Sequence, residues 1–231
     1  MITNQELALT NLREDITDLM HMVLRQLEKA KEALETVDID LASEIITIEK
    51  KVNATELKID KDCENILALY NPVAIDLRLV LASINLNTQL ERIGDHADGI
   101  AEYIVNEAIN EPFEKELLED IQFHLMFETA ISMVDDAIYS FIKEDTKIAR
   151  WVFGKDITLN KINRKTSSII AEYSRKNPER IKKYLYLFSI MKKLERVGDL
   201  SKNIAEETVY FVDAKYIKHK DKKFKDNTTK K

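Results

Sequence analysis

Apolar residues recur three and four positions apart along nearly the whole chain, and no stretch of five or more residues alternates cleanly between apolar and polar. That spacing lines apolar side chains along one stripe of an α-helix and denies a half-buried strand its period of two. The expected fold class is therefore all-α. With only 4 Gly and 3 Pro in 231 residues, the helices should be long and their connections short. Thr3 with Glu6 makes a capping box for a first helix that runs to about Leu34, and "VDID" at 37–40 interrupts the pattern. A second helix is expected from Leu41 to Tyr70. Asn71-Pro72, Glu111-Pro112 and Asn177-Pro178 then mark helix starts, with both Asn residues expected as N-caps. Helices three to six are expected over 72–109, 112–143, 146–175 and 178–214.

One phrase is written twice. "LERIGDHADGIAE" occupies Leu90 to Glu102, and "LERVGDLSKNIAEE" occupies Leu194 to Glu207. The first copy falls late in the third helix and the second late in the sixth, so the repeated unit is three helices. Residues 1–110 and 111–214 are the two units, and 215–231 form a Lys-rich tail. Short connections make consecutive helices antiparallel neighbours. The expected architecture is two tandem antiparallel three-helix bundles, end to end or side by side; one irregular six-helix bundle is the alternative.

The repeated phrase continues an apolar stripe with acids. At 100° per residue, Val73, Leu77, Val80 and Ile84 share a line spaced 4, 3 and 4, and that line continues as Glu91, Asp95, Asp98 and Glu102. In the sixth helix Ile181, Tyr184 and Phe188 give way to Glu195, Asp199 and Glu206, with Lys202 standing where the first copy has Asp98. The second helix adds Glu49, Asn53, Glu56 and Asp60. Counting from the turn near Asn71, Glu49 and Asn53 should sit level with Glu91 and Asp95. In the second unit Asp156 should sit level with Asp199, and Asn160 one turn further along. Like charges four apart repel, and close carboxylates raise one another's pKa. A bound cation removes both penalties, and carboxylate oxygens suit magnesium, manganese, calcium or iron. The bland reading is a solvated acidic face with Lys50, Lys51 and Lys58 as partners. Gly94 and Gly198, two of the four glycines, occupy matched positions although Gly inside a helix costs about 1 kcal/mol relative to Ala. A missing side chain there implies close helix approach or space for a ligand; a kink is the bland account.

Composition excludes several classes. No apolar run approaches the roughly 20 residues that span a bilayer, and the N-terminus lacks the apolar block of a secretory signal. The single cysteine, Cys63, fits a reducing cytosol. Eight Lys against Asp221 and Asp226 give residues 215–231 a charge of +6, so the overall −6 leaves −12 on residues 1–214. An acidic body disfavours nucleic-acid binding. The tail reads as a disordered, solubilising end, with contact to an anionic membrane or an acidic partner as the sharper alternative. A carboxylate-bridged di-metal enzyme of the ferritin-like kind needs Glu-x-x-His pairs. None of His21, His96, His124 and His219 has Glu three positions earlier. No catalytic triad, phosphate loop or paired Cys ligands occur, and the chain is not expected to be an enzyme.

With both phrases and "NPVAIDLR" (Asn71 to Arg78), the chain resembles the PhoU family of phosphate-signalling regulators over roughly residues 10 to 220. That resemblance implies a tandem pair of three-helix bundles. It implies metal bound through E/D-x-x-x-D motifs, with iron, zinc, manganese or magnesium as candidates, at Glu91 with Asp95 and Glu195 with Asp199. The facing motif departs from the acidic pattern: Glu49 is followed by Asn53 and Asp156 by Asn160, so each site would hold fewer or weaker metals. Asp98 completes the first set, and Lys202 weakens the second. The resemblance also implies a repressor of the phosphate-starvation response when phosphate is ample. Its partners would be a sensor histidine kinase and a phosphate ABC transporter ATPase. It would be cytoplasmic, peripheral at the inner face of the cell membrane, and compatible with a homodimer. A relative serving another phosphate carrier is the alternative role. Arg78, Arg92 and Arg196 fit local ion pairs or partner contacts equally well.

Overall fold

The computed structural model describes residues 3–106 and 108–217. All regular structure among them is helical: α1 (Asn4–Thr36), α2 (Ile39–Tyr70), α3 (Ala74–Val105), α4 (Lys115–Asp120), α5 (Phe123–Ile142), α6 (Thr146–Lys176), a 3-10 turn (Pro178–Arg180) and α7 (Ile181–Asp213). The Lys-rich tail beyond 217 lies outside the described residues.

Local chemistry explains most boundaries. Thr3 and Glu6 form the expected capping box: the Thr3 amide donates to Glu6 Oε2 at 2.7 Å and the Glu6 amide to Thr3 Oγ1 at 3.1 Å. Asp38 caps α2 by accepting from the Leu41 amide at 2.9 Å. Asp145 caps α6 by accepting from the Lys147 amide at 2.8 Å. The second helix of each unit thus begins on an aspartate. Asn71 does not cap α3. The proline that follows it disfavours a right-handed helical conformation, and Asn71 closes α2 at φ 46° instead; α3 starts at Ala74 with Val73 as its N-cap. Glu111-Pro112 likewise precedes its helix without starting it. At the third proline, Pro178 opens the 3-10 turn, and Asn177 makes no side-chain cap bond.

The expected helix over 112–143 is two helices. Gln122, at φ 55°, separates α4 from α5. Leu117, Ile121 and Phe123 are all buried, yet positions 121 and 123 of one straight helix would point 200° apart. The left-handed residue between them turns both side chains inward. The segment is also tied to the other end of the unit. Glu114 accepts from the Tyr184 hydroxyl at 2.9 Å and pairs with Arg180, while Tyr173 donates to Asp120 at 2.8 Å.

The two units lie side by side. α1, α2 and α3 pack on one another, as do α5, α6 and α7, and α3 packs along α7 while α1 meets α5. The α3–α7 seam runs antiparallel through polar rungs. Tyr103 Oη meets Ser189 Oγ at 2.8 Å, Asn203 Nδ2 donates to Gln89 Oε1 at 2.9 Å, and Asn85 Nδ2 donates to Glu207 Oε2 at 3.2 Å. Arg78 Nε caps the seam by donating to the Phe211 carbonyl at 3.0 Å. Buried apolar side chains form one core that continues across both units. α2 and α6 are left on opposite outer flanks.

Candidate functional site

In the first unit α2 and α3 run antiparallel in a register set by buried contacts. Asn87 Nδ2 donates to the Glu56 carbonyl at 2.9 Å and to Asp60 Oδ1 at 2.8 Å. Near that end the Cys63 thiol faces the Val80 carbonyl at 3.9 Å; it is fully buried and pushed up to about 12, so it stays protonated. The same register brings Glu49 to Gly94. A Cβ on Gly94 would lie 2.9 Å from Glu49 Oε2 and 3.1 Å from Gln26 Oε1. The glycine therefore makes room for a buried carboxylate. Gln26, from α1, donates to Glu49 Oε2 at 2.8 Å.

Glu49 is 6% exposed, and its second oxygen, Oε1, has no hydrogen-bond partner among the described residues. Asp98 Oδ1 is buried and unpartnered in the same way. Burial pushes the Glu49 carboxyl up to about 7; the Gln26 hydrogen bond opposes this, and the charges of Asp95, Asp98 and Glu91 reinforce it. Burial also raises Glu91, helped by Asp95 and Glu56 against Arg92. Asp98 is raised by burial, then by Glu102 and Asp95, against Lys193. The cluster is short of positive charge. Lys58 is engaged elsewhere, on Asp15 at 2.6 Å, and Lys50 and Lys51 make no ion pair among the described residues. Asp95 and Asn53 are exposed on its solvent side. Among the described residues, no three His, Cys, Asp or Glu side chains converge into a ready metal-binding set. The apolar start of the stripe is less uniform than its spacing suggests: Val80 is buried, but Val73 is 71% exposed at the helix cap.

The second unit fills the equivalent space differently. The place of a Gly198 Cβ is taken by the Leu159 side chain, with Met133 Sδ 3.5 Å away. Asp156 and Asp199 are brought together, as their level on facing helices suggests, but around an ammonium. Lys202 Nζ lies 2.9 Å from Asp156 Oδ2 and 2.7 Å from Asp199 Oδ1. Burial works against the Lys202 charge, yet the hydrogen bonds it donates to Asp199 and Asp156 outweigh it and hold the group above its ordinary value. Asn160 Nδ2 spends itself on Asp156 Oδ2 at 2.8 Å. Glu195, half-buried on α7, makes no ion pair among the described residues.

A fit to a metal ion therefore differs between the units. The first offers hard oxygen donors, two of them buried and unsatisfied, with no internal cation. The second already holds its cation in Lys202, and its donor set does not fit a metal as it stands. His96 is lowered to about 4 by burial and by Lys193, Arg196 and Arg92, so it is neutral and faces cations rather than the acids. Gln26 lies outside the acidic spacing, although a polar residue three positions after Val23 and four before Ala30 on an apolar stripe is a readable signal.

The PhoU domain family matches residues 16–104 and 123–208, one copy per unit. The chain belongs to the PhoU family. It is 30% identical over 211 residues to the phosphate-specific transport system accessory protein PhoU homolog of Aquifex aeolicus, covering 91% of this chain and 94% of that protein. It is 30% identical over 216 residues to the phosphate-specific transport system accessory protein PhoU of Escherichia coli K12, covering 91% and 86%. The crystal structure of PhoU from Pseudomonas aeruginosa superposes with a TM-score of 0.82 at 28% identity, over 90% of this chain and 98% of that one. The phosphate transport system regulatory protein PhoU from Streptococcus pneumoniae gives 0.78 at 27% identity, over 93% and 99%. The PhoU fold of two helical repeats is thus shared along nearly the full length.

Proposed function

We propose that this PhoU-family chain is the accessory regulator of a phosphate transport system and works through protein contacts without catalysing a reaction. The observation that carries this reading is the match of both three-helix units, at nearly full length, to relatives named as phosphate transport accessory proteins. In this reading the protein couples the ATPase of a phosphate ABC transporter to a sensor histidine kinase. It represses the phosphate-starvation response when phosphate is plentiful, from the cytoplasmic side of the membrane. No helix among the described residues is long and apolar enough to cross a bilayer. Deleting the gene should switch on phosphate-starvation promoters in phosphate-rich medium; unchanged reporter output would refute the role.

Metal binding belongs to the same reading, and it is unequal. The first unit would hold a divalent or ferric ion through Glu49, Glu91, Asp95 and Asp98, with Asn53 able to offer a neutral oxygen. Iron, zinc, manganese and magnesium all suit such donors. The ion would supply the positive charge that Glu49 Oε1 and Asp98 Oδ1 lack. The second unit would need Lys202 displaced before Asp156, Asn160, Glu195 and Asp199 could do likewise. Calorimetric titration with manganese should give one site per chain, lost in Asp95→Ala with Asp98→Ala and doubled in Lys202→Asp. Equal occupancy of both units in the unaltered protein would overturn the asymmetry.

A further inference from the structure

α6 is a basic helix in an acidic protein. It carries eight Lys and Arg against two acids, Asp156 and Glu172, whereas the whole chain is −6. Its counterpart α2 carries four Lys against seven acids. The difference is concentrated on the outward face. α6 packs on α5 and α7, and the opposite side presents Lys147, Arg150, Lys161, Arg164 and Lys165, all exposed. None of these five makes an ion pair among the described residues, while Lys155 and Lys176 are taken up by Asp136 and Glu172. At 1.5 Å per residue the five cations extend over about 27 Å of helix.

Apolar side chains lie among these charges. Trp151 is 64% exposed and Ile157 is 69% exposed on the same face. Between them sits Gly154, where an added Cβ would meet nothing within 4 Å. Aligning the two units on their Asp caps, Asp38 and Asp145, puts Lys147, Arg150, Trp151 and Gly154 where α2 has Asp40, Ser43, Glu44 and Thr47. The acidic version forms the same helix, so the fold does not require the basic and aromatic residues of α6.

We infer that the outer face of α6 docks on an anionic bilayer surface. Lys and Arg in a row meet lipid phosphates, and a Trp and an Ile between them reach the boundary of headgroup and acyl chain, which is how a basic amphipathic helix lies on a membrane. The phosphates of a nucleic acid would satisfy the cations but leave Ile157 no apolar partner. The face is a single convex helix, which suits a flat surface. With only two large apolar side chains on offer, the contact is shallow and salt-sensitive. It stands independently of any metal in the first unit.

Trp151 is the sole tryptophan in the chain, so its emission reports on this face directly. Full-length protein titrated with phosphatidylglycerol-containing vesicles should show a blue shift and co-sediment. Pure phosphatidylcholine vesicles, or about 0.5 M salt, should abolish both effects. Lys161→Gln with Arg164→Gln and Lys165→Gln should weaken vesicle binding about a hundredfold, at roughly fivefold per cation. The charge-matched variant Lys50→Gln, Lys51→Gln, Lys61→Gln on α2 should bind as the unaltered protein does, with the Lys-rich tail kept in both. Circular dichroism of each variant confirms that its helices are intact, and Trp151→Ala with Ile157→Ser, read by sedimentation alone, gives a second route to the same loss. Absence of a blue shift with anionic vesicles would overturn the inference. So would undiminished binding by the α6 variant, which would assign the contact to another segment, or a response only to an acidic protein.

Discussion

The two units share a backbone plan and a glycine, and they differ in what that glycine faces. Gly94 looks onto Glu49 and Gln26; Gly198 looks onto Leu159 and Met133. Four residues further along, Asp98 adds negative charge to the first cluster, while Lys202 neutralises the second. Duplication supplied two equivalent clefts. One has become a carboxylate cluster short of positive charge and the other a partly exposed ion-paired cluster around Lys202. A glycine that looks like one repeated feature thus has two local purposes: space for a polar group in one unit and for an aliphatic one in the other.

The largest energetic difference between the units is expected at Glu49. Its folded-state value of about 7 lies above the ordinary 4.5, so the native state holds this proton more tightly than the unfolded chain. Stability of metal-free protein is then full below about pH 4.5 and declines as pH rises through about 7, by at most about 3 kcal/mol. Chemical denaturation between pH 5 and 8 should show that slope, and Glu49→Gln should flatten it; a slope unchanged in the variant would mean the cluster is not strained. Second in size is Lys202→Met. Removing the ammonium leaves Asp156 and Asp199 facing each other, and partial exposure of the pair limits the loss to about 2 kcal/mol. Thermal melts should show the loss, and in this variant added manganese should recover part of it. Gly198→Ala ranks third. Its Cβ must displace Leu159 in a packed core, and that overpacking should outweigh the gain in helix propensity for a net loss of about 1 kcal/mol. Gly94→Ala should instead disturb Glu49, altering the pH slope more than the midpoint. The smallest effect concerns the break that only the second unit has. Gln122→Gly removes the strain of a left-handed side-chain-bearing residue at φ 55° and should shift stability by less than about 1 kcal/mol.

Much of this was legible in the chain, for identifiable reasons. Long helices follow from apolar spacing, and the capping box at Thr3 and the second-helix starts follow from residue chemistry that acts within four positions. The break at Gln122 was not legible, because no glycine marks it; it comes from the requirement that Ile121 and Phe123 both reach the core. Asn71 is ambiguous in sequence for a related reason: Asn serves N-caps and left-handed helix ends alike, and the following proline decides which. In the candidate site, the register of Glu49 with Gly94 was readable from equal distances to the turn. The partner on α1, Gln26, was not, since distance from a loop says nothing about the third helix of a bundle. Lys202 was visible as a departure from the acidic pattern. Its role as a bridge between Asp156 and Asp199 needed both helices in place.

Cys63 has a practical consequence. Its thiol is enclosed between α2 and α3 and held protonated, so the chain already offers an unreactive background for maleimide chemistry. A cysteine placed on the outer flank of α2 and another on that of α6 would take up a donor and an acceptor dye without prior removal of the native residue. The distance between the flanks could then be followed directly in solution as phosphate, metal or vesicles are added.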